Sequence, residues 1–590
     1  MTNHTGIAQA ISSRFNFLIL ITAIFLTACG GGGSGSDNSS RISQNHLIST
    51  GNVDSPVGIK SEAPEFEFDA NGNVIAIWTE DTGSGFDVWS NRMNSSGNWE
   101  NPKLVFKQPD SIAFHPQIEI DEAGDAIAIW HVFNGVNFNL WSSTYGPNTG
   151  WSSPELIEEN DDTVWYDSKL VMDASGNAMA LWKKETESGR VDLWANYFIK
   201  GFGWGGEELI DTNLWGPLVV ETYLQIDSLG NFITLWKKNP GNAQNSSLFA
   251  RRFSKQNADW NGIEEVSFAG DDRINNDIRL ISLGDTNGFL ISWIQEYQID
   301  PWNDTAHLYS KYFSQEQGWQ ETVIVDENVN EFSLESSAFL QHEKIDDNNV
   351  LIYFDKFNGE HIEIWSNSFN TETSWGEPHM IEFFDEAHYS NPEHYTKSDI
   401  VAKGKFVVGA QFWSDQQFDG ISGRRIWVNQ FSQTYGWSTP RVLSENVLKI
   451  GVQQFNVDQA MAFWTSRATA NPDNPFDYSR NYSINISNYS EGIGWENSIV
   501  ISNDQFSNEE FGFVKATGYK DKFLITWRRY DSYTLYANSY STDGGWTGVQ
   551  TISNAAPYES KDISVSFNLF GRALMLWEDG SKMWASYFNQ

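Results

Sequence analysis

The sequence predicts an all-β fold, a β-propeller of about ten four-stranded blades. Three observations predict it. A unit of about 50 to 60 residues recurs along the chain, each copy contains four short segments with β character, and tryptophan returns at fixed places within the copies. A four-stranded antiparallel unit repeated at this period is the signature of a propeller. We therefore expect one large repeat domain over residues 46–590.

The clearest copies of the repeat begin at Phe66 (FEFDANGNVIAIW), Ile118 (IEIDEAGDAIAIW) and Leu170 (LVMDASGNAMALW). In each copy the first segment ends at an aspartate and the second ends at a tryptophan. The third segment carries an aromatic residue, and the fourth follows Gly-Trp or a close variant. The link from Asp69 to Asn73 and its equivalents have the composition of short hairpin loops, in which glycine supplies a positive φ.

The tryptophans mark the second strand of nine predicted blades. They are Trp78, Trp130, Trp182, Trp236, Trp293, Trp413, Trp464, Trp527 and Trp577. Residues that recur once per blade are predicted to pack between blades, because a propeller core is made of equivalent positions on neighbouring sheets. We therefore interpret them as core residues and not as sugar-binding platforms.

The last repeat stops after its third strand, without a Gly-Trp segment. A matching segment occurs at the other end of the domain, where residues 46–50 (HLIST) resemble the fourth-strand endings at Leu156 and Leu209. An N-terminal strand that completes the last blade would close the ring and remove its exposed edges. This closure favours one ring of ten blades. Two smaller propellers are the alternative, because propellers usually have four to eight blades.

The first residues have the layout of a secretion signal, with Arg14 followed by a short apolar run over residues 15–25. The sequence from Leu26 to Cys29 (LTAC) resembles the lipobox of bacterial lipoproteins, which implies cleavage before Cys29 and a lipid on its sulfur. Cys29 is the only cysteine. The predicted organisation is a signal peptide (1–28), the lipidated cysteine with a flexible Gly/Ser tether (29–45) and the propeller (46–590). In this family Gly30 implies the outer membrane, on a side that the sequence leaves open.

The whole repeat, over residues 46–590, is similar to those of uncharacterised bacterial propeller lipoproteins, and this resemblance implies no particular activity. The fourth-strand turns, such as residues 541–546 (STDGGW), are weakly similar to the Asp-boxes of sialidase propellers. The blade number resembles that of sortilin-type propellers. The likeness to these two groups concerns architecture alone.

Charge and motifs exclude several classes of function. The net charge of −39 disfavours nucleic acid and anionic lipid as partners, because both are negatively charged. No metalloprotease, serine-hydrolase or phosphate-loop motif occurs, so no cofactor is predicted. The acidic loop that contains Asp385, His388, Glu393 and His394 matches no metal-site spacing, so no metal site is predicted.

The interpretation that follows is a non-enzymatic, lipid-anchored propeller of the cell envelope that binds or scaffolds a protein or a glycan. The alternative is a glycan-active enzyme, of glycosidase or lyase type, with its site on the variable-loop face. That face carries the second-to-third-strand loops and the blade-to-blade links, which vary in length. Convergent buried carboxyl groups with raised pKa values, in the central channel or on the variable-loop face, would favour the enzyme, whereas a wet, unperturbed channel would favour binding.

A ligand patch is predicted on the variable-loop face of the third and fourth repeats. Aromatic residues in the links could stack on a sugar, and two lysine pairs follow the second-strand tryptophans. The pattern suits an acidic glycan. The alternative is that the lysines pair with Glu185 and Glu187. The candidate residues are Trp165, Tyr166, Lys183, Lys184, Trp215, Lys237, Lys238 and Trp302.

Overall fold

The computed structural model describes most of the predicted repeat domain. The described residues are 41–42, 46–47, 64–81, 85–159, 163–186, 189–214, 221–238, 246–267, 273–284, 288–300, 303–327, 329, 340–357, 362–383, 398–411, 425–432, 435–445, 447–456, 458–468, 481–505, 511–529, 534–553, 563–579 and 582–589. All regular structure among them is β-strand, so the all-β propeller is confirmed.

Each blade is an antiparallel sheet whose outer, fourth strand is usually interrupted. Blade 1 contains Glu65–Phe68, Val74–Asp81, Phe86–Met93 and Lys103–Phe106; blade 2, Ile112–Ile120, Ala126–Phe133, Phe138–Gly146, Gly150–Trp151 and Glu155–Leu156; blade 3, Thr163–Val164, Lys169–Met172, Ala178–Glu185, Val191–Ile199, Gly203–Trp204 and Glu208–Leu214; blade 4, Thr222–Ile226, Phe232–Lys238, Ser247–Ser254, Asp259–Trp260 and Glu264–Glu265; blade 5, Arg273–Leu283, Gly288–Asp300, Asn303–Ser314, Gly318–Trp319 and Val323–Asp326.

The second half of the domain repeats this arrangement. Blade 6 contains Leu340–Lys344, Asn349–Phe357, Ile362–Asn370, Ser374–Trp375 and His379–Phe383; blade 7, Ser398–Lys403, Phe406–Gln411, Arg425–Ser432, Gly436–Trp437 and Arg441–Glu445; blade 8, Val447–Asn456, Gln459–Ala468, Asn481–Ser490, Gly494–Trp495 and Ile499–Gln505; blade 9, Phe511–Tyr519, Lys522–Arg529, Leu535–Ser541, Gly545–Trp546 and Gln550–Ser553; blade 10, Ile563–Phe567, Ala573–Asp579 and Lys582–Asn589, with Arg41–Ile42 and His46–Leu47.

The first strand of each blade lies innermost. First strands of consecutive blades contact one another, whereas the fourth-strand segments lie at the other edge of each sheet. In most blades the second-strand tryptophan pairs with a third-strand aromatic residue, as Trp182 does with Trp194 and Trp236 with Phe249, whereas Trp464 of blade 8 pairs with Asn485. The first strands therefore form the wall of a central channel.

The core consists of hydrophobic clusters between neighbouring blades. Trp130 of blade 2, for example, is fully buried against Val88 and Phe106 of blade 1. Equivalent tryptophans in other blades likewise contact the preceding blade, such as Trp182 in the cluster between blades 2 and 3. Burial of a large aromatic side chain contributes roughly 2–3 kcal/mol, so these interfaces dominate the stability of the ring.

Two of these clusters distinguish one ring from two. One joins blades 5 and 6 and includes Leu290 and Phe354. Another joins blades 10 and 1 and includes Leu574 and Trp78, and near it the Ser564 hydroxyl donates to the Pro64 carbonyl at 3.1 Å. Two five-bladed rings would instead pack blade 5 against blade 1. The described strands therefore follow one ring.

The N-terminal strand completes blade 10, as the sequence predicts. His46 pairs with Ala585 and Leu47 with Trp584. Arg41–Ile42, in the predicted tether, also pairs with the last strand, Ile42 opposite Phe588. In blade 3 the equivalent pair is Trp204 opposite Phe198. The segment 41–42 thus replaces the Gly-Trp segment that the last repeat lacks.

First-to-second-strand hairpins of neighbouring blades contact one another on the face opposite the variable loops, as those of blades 1 and 2 show. In blade 1 the Asp69 carboxylate accepts the backbone N–H groups of Asn71 and Asn73 at 2.9 and 2.8 Å. Gly124 of the next hairpin has φ +88° and lies against it, because a Cβ placed there would be 2.9 Å from the Asp69 carboxylate. Glycine is required here both by the left-handed φ and by the close approach.

One tryptophan assignment needs correction. Trp413 is predicted at the second-strand position of blade 7, but it lies outside the described residues. The residue that pairs with the third-strand Trp427 is Gly409. In blade 7 the aromatic residue of this pair therefore comes from the third strand alone, and Trp427 packs in the cluster between blades 6 and 7.

Candidate functional site

Lys184 is a structural residue, which corrects its assignment to a ligand patch. Its ammonium group contacts both carboxylate oxygens of Glu207 at 2.8 Å and the Glu159 carbonyl at 2.5 Å. The side chains of Lys184 and Glu207 are 1% and 4% exposed. The ammonium group also lies 5.0 Å from the centre of the Trp194 ring. No surface is left on this side chain for a soluble ligand to contact.

Lysines at the equivalent position of two other blades pair with a carboxylate of the preceding blade. Lys238 of blade 4 contacts both oxygens of Asp211, at the end of blade 3, at 2.9 Å. Lys356 of blade 6 contacts Asp326, at the end of blade 5, at 2.6 Å. Each lysine also lies over the third-strand ring of its own blade. We call the contacts of Lys238 and Lys356 the inter-blade lysine bridges. Lys184 pairs most closely with Glu207 of its own blade, and it contacts blade 2 through the Glu159 carbonyl and, at 3.7 Å, through Glu158.

Lys183 and Lys237 point to the opposite side of their strands and converge on Glu221. Lys183 forms an ion pair of 2.5 Å with Asp167. Burial raises the pKa of Glu221, and the charges of Lys237, Arg279 and Lys183 oppose that rise. Both lysines are buried. The structure thus brings two of the four predicted lysines together, within an ion network near the channel wall.

Tyr166 and Trp165 lie beside His115 of blade 2. The His115 ring stacks on the Tyr166 ring with centroids 5.9 Å apart, and Trp165 contacts Tyr166 at 5.9 Å. His115 has a φ of 49°, an uncommon conformation for a residue before proline. These half-buried rings, named the rim aromatic group, occupy the variable-loop face between blades 2 and 3.

The other predicted residues lie outside the described part of the chain. They are Cys29, Trp215, Trp302 and the acidic loop from Asp385 to His394. Glu187 lies outside it as well.

His131 lies beneath the rim aromatic group and is fully buried. Its Nε2 is 2.9 Å from the Ser168 hydroxyl, and Gln117 donates to the Ser168 carbonyl at 2.9 Å. Burial lowers the pKa of His131 to about 3, and the charges of His115 and Lys169 contribute. The imidazole is therefore neutral at physiological pH and joins blade 2 to blade 3.

A mixed-charge group continues around the wall into blades 4 and 5. The Tyr223 hydroxyl donates to Glu221 at 2.6 Å. Arg279 of blade 5 donates to the Ile278 carbonyl at 2.9 Å and lies 3.8 Å from Asp277. Burial and the Glu221 charge raise the pKa of Tyr223 well above its ordinary value, and Arg279 opposes them. Tyr223 and Arg279 occupy the same register position of consecutive first strands.

The acidic group on the wall of blades 1 and 2 was not singled out from the sequence. Glu67 and Glu119 hold equivalent positions of neighbouring first strands, opposite Ile75 and Ile127. Burial raises the pKa of Glu67 to about 7, and the charge of Glu65 adds to the effect. The pKa of Glu119 is raised well above its usual range by burial, then by Glu67 and Glu65.

Glu343 occupies the same register position in blade 6 and has a different environment. It accepts hydrogen bonds from the Gly404 N–H at 2.7 Å and from Gln341 at 2.7 Å. Burial raises its pKa, and these donors and Lys403 oppose the rise. The hydrogen bond from Gly404 to Glu343 thus joins blade 7 to blade 6. In contrast, burial and the charges of Glu67 and Glu65 all disfavour the charged form of Glu119.

Two absences apply to the described residues alone. Within them, no three or more His, Cys, Asp or Glu side chains come together closely enough to hold a metal ion. No helix in this part of the chain has the length and apolarity required to cross a membrane.

Several solved structures are similar to the chain in fold, while no protein-family model and no curated protein matches it. The Hadza microbial sialidase Hz136 is 12% identical, with a TM-score of 0.27, over 50% of this chain and 63% of that one, so less than two thirds of that structure is spanned. The polysaccharide lyase Uly1 is 10% identical, with a TM-score of 0.32, over 62% and 88%. The Penicillium chrysogenum alpha-L-arabinanase is 14% identical, with a TM-score of 0.28, over 51% and 88%.

Proposed function

We propose that the protein is a glycan-active enzyme that uses acid–base chemistry at the acidic group of the channel wall. The observation that carries the proposal is the pair Glu67 and Glu119. Their carboxyl groups lie on neighbouring inner strands, are half-buried and interact electrostatically. Burial raises both pKa values, with the charge of Glu65 adding to the rise at Glu67 and the charges of Glu67 and Glu65 adding to the rise at Glu119. Glycosidases use burial and like charges to keep one carboxyl group protonated beside an ionised one.

The two carboxyl groups divide the chemistry between them. Burial and the charges of Glu67 and Glu65 raise the pKa of Glu119 and favour its protonated form, so we assign it to donate a proton to the glycosidic oxygen as the C–O bond breaks. Glu67 is partly ionised near pH 7 and accepts the proton of the attacking water. The oxygen of that water forms the new C–O bond at the sugar from which the glycosidic oxygen has departed.

Binding surface for the rest of a glycan is available along the rim. The rim aromatic group offers the faces of Tyr166 and Trp165, on which sugar rings stack through their C–H groups. It lies at the variable-loop end of blades 2 and 3, whereas Glu67 and Glu119 lie near the hairpin ends of the first strands of blades 1 and 2. A chain of several sugars could contact both.

The proposal is tested with Glu119→Gln and Glu67→Gln, and with Glu155→Gln on the exposed outer strand of blade 2 as the matched control. New reducing ends are measured after incubation with a panel of envelope and extracellular polysaccharides. We expect the channel variants to lose activity by about 10²–10⁴-fold, the usual contribution of a general acid or base, and the control to keep it. Glycan binding without any product would overturn the enzyme and favour a binding or scaffolding module. Full activity in Glu119→Gln would overturn the assignment of the acid.

We also propose that the propeller is anchored to the outer membrane by lipid on Cys29, so its substrate is a glycan of the cell envelope or its surroundings. The net charge of −39 supports a partner that is neither nucleic acid nor an anionic lipid surface.

A further inference from the structure

An unsatisfied histidine lies in the channel wall on the side of blades 5 and 6. His342 is 8% exposed, and neither ring nitrogen has a hydrogen-bond partner. A neutral imidazole carries one donor and one acceptor, and burying both without partners costs free energy. Burial lowers the pKa of His342 to about 3, and the charge of Arg279 contributes. An uncharged ring with unused hydrogen-bonding capacity therefore lies buried at the inner strands of blades 5 and 6.

Arg279 lies opposite His342. The two residues come from neighbouring first strands, and alternation along a strand directs Arg279 towards blade 6 and His342 towards blade 5. The Arg279 side chain is 39% exposed. A guanidinium group has five N–H donors, of which the Ile278 carbonyl accepts one, so the group can also hold a carboxylate through two parallel hydrogen bonds.

The surroundings select the charge of the ligand. Asp277 and Glu221 lie near Arg279, so the local positive charge is already largely compensated. A singly charged carboxylate fits such a site better than a doubly charged phosphate. The neutral imidazole of His342 suits a sugar hydroxyl, since it can accept from it or donate to it.

We propose that Arg279 and His342 form a subsite for a hexuronate residue of the glycan, with Arg279 on the carboxylate and His342 on a neighbouring hydroxyl. This rests on the glycan role proposed above and names the substrate class as an acidic, uronate-containing polysaccharide.

The test is calorimetric titration of the mature chain with tetragalacturonate, with its methyl ester as the uncharged probe. We expect the acid to bind at least tenfold more tightly than the ester, and Arg279→Gln to abolish that preference. Arg252→Gln is the matched control, because Arg252 pairs with Glu264 on the outer part of blade 4. Equal affinity for acid and ester, or an unchanged preference in Arg279→Gln, would overturn the subsite.

His342→Leu separates ligand binding from folding. Because the leucine removes two unpartnered polar atoms, we expect a higher melting temperature together with weaker binding of tetragalacturonate. A higher melting temperature with unchanged binding would show that His342 has no ligand. These titrations involve no turnover, so their failure is distinguishable from failure of the acid–base proposal, which Glu119→Gln tests by product formation.

Discussion

Leu47 pairs with Trp584 in the register in which Leu156 pairs with Trp141. The N-terminal segment of the domain thus forms the outer strand of blade 10, whose other strands come from the C-terminal end of the chain. We expect deletion of residues 41–47 to lower the melting temperature by many degrees, because blade 10 would then expose an unpaired edge. The matched control removes residues 30–36, an equal length of the predicted tether. Equal melting temperatures for the two deletions would refute the closure.

The contact between neighbouring hairpins predicts that alanine destabilises the protein much more at Gly124 than at Gly150, both in blade 2. Gly124→Ala places a Cβ 2.9 Å from the Asp69 carboxylate at φ +88°, whereas Gly150→Ala has φ +74° and no atom within 4 Å. We expect a loss of roughly 1–2 kcal/mol for Gly150→Ala and about 1–2 kcal/mol more for Gly124→Ala. Chemical denaturation measures the free energy of unfolding of both variants. If Gly124→Ala were no less stable than Gly150→Ala, the two hairpins would not be in contact.

The buried ion pair between Lys184 and Glu207 predicts that stability depends strongly on Lys184. Lys184→Met leaves Glu207 buried without its cation, so we expect a loss of about 3–5 kcal/mol of unfolding free energy. The double variant Lys184→Met with Glu207→Met should recover much of it. Arg92→Met, which breaks a more exposed pair with Glu100, should cost at most about 1 kcal/mol. A double variant as unstable as the single one would argue against this ion pair.

The raised pKa of Glu119 should make the folded protein less stable as the pH rises. The pKa of Glu119 is raised in the folded state, so its contribution is fully present below the ordinary value of 4.5 and is lost as the pH rises towards the folded value. Glu119→Gln cannot ionise. We therefore expect it to melt at the wild-type temperature near pH 4 and at a higher temperature near pH 8. Glu155→Gln should show no such divergence, and a difference independent of pH would contradict the raised pKa.

The predicted lipid anchor is separable from the fold. We expect Cys29→Ala to move the protein from the membrane fraction to the soluble fraction with an unchanged melting temperature, because a Gly/Ser tether separates the anchor from the propeller. Ser36→Ala in the same tether is the control. Retention of Cys29→Ala in the membrane fraction would overturn the lipoprotein prediction.

The architecture could be read from the sequence because each blade repeats the same packing problem. Trp130 and Trp182 recur with a constant neighbourhood, so their role follows from their spacing. Even the closing strand was visible, since Leu47 repeats the local pattern of Leu156. Local repetition thus carries the fold.

The site was less predictable because it depends on departures from the repeat. In the sequence, Lys184 has the pattern of an exposed lysine at the end of a strand. Only the structure shows that it is buried and paired with Glu207. Glu67 and Glu119 look like solvent-facing acids of alternating strands. Their proximity arises because consecutive first strands lie side by side around the channel, a relation between residues about 50 positions apart. Periodicity identifies such positions but does not single out two of them.

The pairing of Leu47 with Trp584 also determines when the ring can close during folding. Nearly the whole chain separates the two residues, and at ordinary rates of synthesis the second emerges on the order of a minute after the first. Until then blades 1 to 9 form an open arc with an unfinished edge at each end. Such long-range closure is intrinsically slow, and the open arc is the form most exposed to aggregation. The protein therefore depends on whatever shields it during that interval.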